Sequence, residues 1–130
     1  MKRKTFLSVA SFIALAVGTF ALIAPAILLE SKGVVASAAT EVWVREVGAL
    51  LISVGVSLFL VRDHGDSPTL KAFFIGNIML QLSLLIIEPL AYANGIITKL
   101  SGIVPNTILH ILLVSGFIYY WAKMQRSNRA

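Results

Sequence analysis

Four runs of apolar residues, at positions 6–29, 44–61, 72–90 and 103–121, dominate the chain; they hold 24, 18, 19 and 19 residues. At ~1.5 Å of rise per residue, each is close to the ~20 residues that cross ~30 Å of hydrocarbon, so the pattern predicts four membrane-spanning helices. The intervening polar stretches, 30–43, 62–71 and 91–102, are too short to hold a soluble domain, and residues 1–130 therefore read as a single integral membrane domain. Pro25 predicts a kink about one turn before the outer end of the first span. The "SPT" of the second connection is a turn signal in which Ser67 or Thr69 caps the third span, and Pro105 suits the first turn of the fourth. The expected fold is an all-α membrane protein, a four-transmembrane-helix bundle.

Composition agrees with that pattern: 58% of the 130 residues are hydrophobic and the mean hydropathy is +0.88, against ~45–50% apolar residues in a soluble domain. The absence of cysteine excludes disulfides, thiol nucleophiles and Cys-type zinc sites. The net charge of +5 does not form a nucleic-acid-binding stripe, because the basic residues cluster at the chain ends and beside the apolar runs. Lys2, Arg3, Lys4, Arg62, Lys71, Lys123, Arg126 and Arg129 fall on one side of the predicted membrane and Lys32, Arg45 and Lys99 on the other. By the positive-inside rule both termini are expected in the cytoplasm, as an even number of spans requires, with the chain multi-pass in the inner (plasma) membrane. The "MKRK" start and the "ASAAT" at 36–40 also fit a secretory signal, but a 24-residue run far exceeds the ~7–15 residues of a signal core, which favours a retained helix.

Polar residues inside the spans mark the candidate site. At ~100° per residue, Gln81 and Glu88 lie about 40° and 20° from Asn77 around the third span, so one stripe carries all three. On the fourth span His110 and Phe117 lie about 40° and 20° from Asn106. Depth pairs them in layers: Glu88 about 3 Å and Asn106 about 4.5 Å from the outer ends of their spans, Gln81 about 13.5 Å and His110 about 10.5 Å deep. Arg45 and Glu46, at the outer start of the second span, reach the level of Glu88. A carboxylate in hydrocarbon costs ~2.5–3.5 kcal/mol, which pairing with Arg45 relieves. Paired, Glu88 stays ionised as a structural rivet; dry and unpaired, it holds a proton. Pro89 predicts that the helix bends or ends at Glu88. The candidate ligand-binding residues are thus Arg45, Gln81, Glu88, Asn106 and His110; no catalytic residue and no metal ligand set is identified.

Each feature also has a plainer reading. Asn77 and Gln81 serve as interhelical glue, His110 as a hydrogen-bonded packing residue, Arg45 and Glu46 as interfacial anchors, and His64 as a solvated loop residue. Gly48, Ser53, Gly55 and Ser57 suit close helix contact on the second span, and Trp43, Tyr119, Tyr120 and Trp121 read as interfacial belts.

The stretches "LIAPAILL", "VREVGALLISVGVSLFLVR" and "NTILHILLVSGFIYYW", with Pro25 near the end of the first span and Arg45-x-x-Gly48 opening the second, resemble the small four-helix membrane proteins of the DoxX-like group. That resemblance implies the four-helix bundle and, for some members, a place as a subunit of a membrane oxidoreductase acting near quinone. No cofactor is indicated by the residues themselves, and quinone enters only through the resemblance. Small multidrug transporters also have about four spans, but they rely on a carboxylate within the first helix, and residues 6–29 contain none. Three functions follow: a non-enzymatic bundle accessory to a membrane complex, a binder or carrier of a small lipophilic or protonatable ligand in an outward-facing pocket, or an enzyme using His110 and Glu88 as acid and base. The expected partners are the lipid bilayer and either further copies of the chain or other membrane-complex subunits, with no nucleic acid.

Overall fold

A computed structural model describes residues 1–127; Arg129, counted above among the basic residues of one side, lies outside them. The elements are α1 (Arg3–Ile23), α2 (Pro25–Ser31), α3 (Ala38–Val61), α4 (Pro68–Ala93) and α5 (Leu100–Ser127), with no strand among the described residues. Four of them, α1, α3, α4 and α5, are long and apolar enough to cross a membrane.

The first apolar run does not form one kinked helix. Pro25 has no N–H to give to Ala21, and its ring disfavours a helical residue before it. Ala24 accordingly leaves the helix at φ −128°, ψ 55°, and Pro25 starts a separate short helix from its first position. The other starts carry local caps. Ser37 Oγ accepts from Thr40 N at 3.2 Å while Thr40 Oγ1 accepts from Ser37 N at 2.8 Å, a reciprocal capping box. Ser67 Oγ, as expected, accepts from Leu70 N at 3.1 Å, with Pro68 at the first helical position. Two expectations fail in the same way. Of the bend or end expected at Glu88, the end does not occur, because α4 continues through Pro89 to Ala93, and Pro105 lies inside α5 rather than in its first turn. Each proline removes a single backbone bond, a loss that a long helix supported by its neighbours tolerates.

α1 and α3 form one close antiparallel pair. At Gly18 and Gly48 the backbones touch: a Cβ on Gly18 would meet Gly48 O at 2.8 Å, and one on Gly48 would meet Gly18 O at 2.8 Å. Ser11 Oγ, buried, donates to Gly55 O at 2.7 Å. In lipid, where apolar contact alone gives no drive to associate, such close van der Waals approach and interhelical hydrogen bonding hold helices together. Gly48 and Gly55 thus serve contact as their size suggests, whereas the Ser53 and Ser57 hydroxyls return to their own helix, to Ala49 O and Ser53 O.

α4 and α5 form the second pair, and an apolar core joins the two pairs near the basic end. Phe6 meets Phe117 edge-on with centroids 4.9 Å apart, and Phe74 meets Phe117 at 5.4 Å; Leu7, Leu58 and Met124 fill in around them. Edge-to-face pairs contribute ~0.5–1.5 kcal/mol each beyond area burial. Tyr120, expected in an interfacial belt, belongs instead to this core, 5% exposed, with its hydroxyl donating to Met1 O at 2.6 Å. Trp43 and Tyr119 do face outward. The start of α1 and the last turns of α5 therefore lie at the same end of the bundle.

Candidate functional site

The opposite end is built from two connections, α2–α3 and α4–α5, and the facing sides of α4 and α5. After α2 the chain turns through Lys32 and Gly33, and Lys32 O accepts from both Thr98 N at 3.1 Å and Lys99 N at 3.2 Å. Thr98 Oγ1 donates to Gly33 O at 2.9 Å, and Lys99 Nζ to Glu30 O at 2.9 Å. These bonds lay the α2–α3 connection across the α4–α5 connection. The approach requires a residue without a side chain on α5: a Cβ on Gly102 would lie 2.7 Å from Lys32 Cα and 2.9 Å from Ser31 O.

This close approach directs Lys32 inward. Its ammonium forms an ion pair with Glu88 Oε1, the two side chains being only 15% and 16% exposed. Asn106 Nδ2 donates to the same carboxylate oxygen at 3.1 Å. Glu88 Oε2 is buried and has no hydrogen-bond partner among the described residues. One layer deeper, His110 Nδ1–H donates to Gln81 Oε1 at 2.6 Å, which fixes the tautomer with the proton on Nδ1. Asn77, on the same stripe, turns back to its own helix, donating from Nδ2 to Phe73 O at 3.0 Å, while its buried Oδ1 has no partner among the described residues.

The structure thus gathers four of the five candidates into two layers, Glu88 with Asn106 and Gln81 with His110. Arg45 does not join them, and the expected pairing of Arg45 with Glu88 is not formed. Arg45 is exposed near the start of α3 and pairs along its own helix with Glu41, at 3.3 Å. Two facts explain the difference. The outer part of α3 extends six residues beyond the apolar run, with Glu41 one turn from Arg45, and the α2 turn places Lys32 closer to Glu88. Lys32 is the residue that sequence reasoning missed. The signals were present in Pro25, which breaks the first helix, and in Gly102, which leaves space for the incoming turn, but neither has a periodicity that would place Lys32 in depth.

Chemically, the layer nearer the connections is a charge-balanced cluster of one ammonium, one carboxylate and one amide, and the deeper layer is an imidazole–amide pair. The four long apolar helices around these layers define a multi-pass, all-α membrane protein. Comparison of the chain with protein-family models, with curated proteins and with solved structures gave no match.

Proposed function

We propose that this chain is a small non-enzymatic bundle of the inner membrane, accessory to a membrane complex, with both termini in the cytoplasm. The observation that carries this reading is that the charged and ring groups between the helices are paired with one another: Lys32 and Asn106 with Glu88 Oε1, and His110 with Gln81. A charge paired in this way fixes helix register and is the rivet form of an intramembrane carboxylate. Large apolar side chains such as Phe12, Leu50 and Leu112 stand exposed on three of the long helices, leaving surface for lipid or for neighbouring subunits. The similarity in layout to DoxX-like proteins supports the same role.

A native gel of membranes solubilised in mild detergent tests it. The wild-type chain is expected in a band above that of a monomer in its micelle, and a Lys32→Met, Glu88→Gln variant, which removes both charges, is expected in the same band. A monomer band for the wild type would refute the accessory role. Loss of the band in the charge-free variant at unchanged folded fraction would make the cluster a recognition site instead of a rivet.

A second reading rests on the open Oε2 of Glu88. A small protonatable ligand with one donor would complete that carboxylate from inside the bundle, in line with a binder or carrier. Glu88→Gln would then change ligand binding or its pH dependence while leaving the folded fraction intact.

A further inference from the structure

The basic end of the bundle holds a polar feature that the accessory role leaves unused. A cleft of about 500 Å³ opens between the start of α1, the α3–α4 connection and the last turns of α5. That volume is within the ~300–1,000 Å³ of small-molecule sites. Five cationic side chains line it against two carboxylates. Both carboxylates are already engaged: Arg3 pairs with Asp66 and donates from Nη2 to His64 O at 2.6 Å, while Lys4 and Arg62 reach Asp63 at 2.8 and 3.5 Å. These contacts fix the α3–α4 connection against α1 and so give the cleft a set shape. Lys2 and Lys123 also line it, and neither has an acidic partner among the described residues. Below them lie Tyr120 and Met124, 5% and 2% exposed. The result is a cationic rim over a floor of Tyr120 and Met124, at the end of the four long apolar helices where α1 and α4 start and α3 ends.

We propose that this cleft is a binding site for the headgroup of an anionic phospholipid, whose phosphate is held by Lys2 and Lys123. A soluble anion would be served by charge alone. The placement at the span ends and the apolar floor under the charges match a molecule whose phosphate is attached to a glycerol backbone and acyl chains, and basic pockets between membrane helices bind anionic headgroups on this basis.

Native mass spectrometry of the full chain in neutral detergent, titrated with dioleoyl-phosphatidylglycerol or dioleoyl-phosphatidylcholine, tests the site. The anionic lipid is expected to bind several-fold more tightly than the zwitterionic one. Lys2→Gln, Lys123→Gln should lower affinity for it roughly 30-fold, about fivefold for each charge removed near an anionic headgroup. Both side chains are exposed and outside any ion pair, so the fold is expected to persist, and the charge-conserving Lys2→Arg, Lys123→Arg variant should retain binding. Arg126→Gln, on the same helix but outside the cleft, should change affinity less than about twofold. Equal binding of the two lipids by the wild type would overturn the proposal. So would an equal loss on Arg126→Gln, which would mean diffuse surface charge, or displacement of phosphatidylglycerol by excess inorganic phosphate, which would mean a site for a soluble anion.

Discussion

Removing the ammonium of Lys32 leaves the Glu88 carboxylate between the helices with only Asn106 to stabilise it. Breaking a buried ion pair from one side costs ~3–5 kcal/mol, and both partners here keep about one-sixth of their exposure, which relieves part of that cost. Lys32→Met, similar in length and apolar, is therefore expected to destabilise by about 2–3 kcal/mol. Glu88→Gln is expected to cost less, about 1–2 kcal/mol: Gln can still accept from Asn106 Nδ2, and a lone lysine on a flexible stem can turn toward the interface. The double variant carries no uncompensated charge, so it should be no worse than the milder single variant, giving a coupling energy of about 2–3 kcal/mol, toward the upper end for contacting residues. Arg45→Ala removes an exposed i,i+4 pair and should cost only ~0.3–0.5 kcal/mol. The assay is reversible unfolding in mixed micelles by increasing SDS, followed by far-UV circular dichroism. Additive single-variant costs within ~0.5 kcal/mol, or an Arg45→Ala cost equal to that of Lys32→Met, would refute the assignment of Lys32 as the partner of Glu88.

Three further expectations test the remainder of the structure. Gly18→Ala places a methyl against Gly48 O and Ile52 N, backbone atoms that cannot swing aside, and should lower stability in the same SDS titration by ~1–3 kcal/mol; Gly76→Ala, with open space around it, should be neutral or slightly stabilising, and equal costs would contradict the α1–α3 contact. The Lys4 ammonium bonded to Asp63 holds that carboxyl below its ordinary value. Because the folded value is depressed, its contribution to stability is present above the ordinary carboxylate range and is lost as pH falls through the lowered folded value. NMR titration should find the Asp63 midpoint low in the wild type and moved up toward the ordinary value by Lys4→Met; an unchanged midpoint would remove the Lys4–Asp63 pair from the structure. The chain has no cysteine, so single Val35→Cys and His64→Cys variants report on sidedness directly. An impermeant maleimide added to intact cells should label position 35 and spare position 64, and the reverse pattern would invert the proposed orientation.

The legible part of the fold was what one-dimensional pattern controls. Span number and the layering of Glu88 with Asn106 and of Gln81 with His110 follow from rise and angle along regular helices, and the cap at Ser67 from the local turn signal that left Ser67 or Thr69 as the choice. Proline's effect is not fixed by sequence: the kink expected at Pro25 is a full break, the helix end expected at Glu88 before Pro89 does not occur, and Pro105 lies inside a helix that starts five residues earlier, because proline's local cost is fixed while its effect depends on whether neighbouring helices support the chain on either side. The outward reading of Tyr120 and the omission of Lys32 as the partner of Glu88 have a shared reason. Tyr120 lies within the last third of α5 and Lys32 caps α2, and at both positions inward or outward direction is decided by tertiary contacts: Met1 O and the aromatic core for Tyr120, the Gly102 notch for Lys32.

The arrangement also explains why an apolar chain retains Glu88. Glycine contact joins α1 to α3, and polar pairs join α4 to α5, but neither interaction sets one pair against the other. That is done at the two ends. At the basic end Phe6, Phe117 and Tyr120 bring α1 onto α5, with Arg3 and Lys4 held by the α3–α4 connection. At the far end the joining contacts are Lys32 with Glu88, the backbone bonds from Thr98 and Lys99 to Lys32 O, and the side-chain bonds of Thr98 to Gly33 O and Lys99 to Glu30 O. Apolar contact between helices is nearly balanced by lipid, so it cannot single out one register, whereas an ammonium and a carboxylate displaced by a turn each become an uncompensated charge. Glu88 is thus a residue through which the end of the bundle opposite the basic one acquires its register, and its cost in hydrocarbon is a source of that specificity.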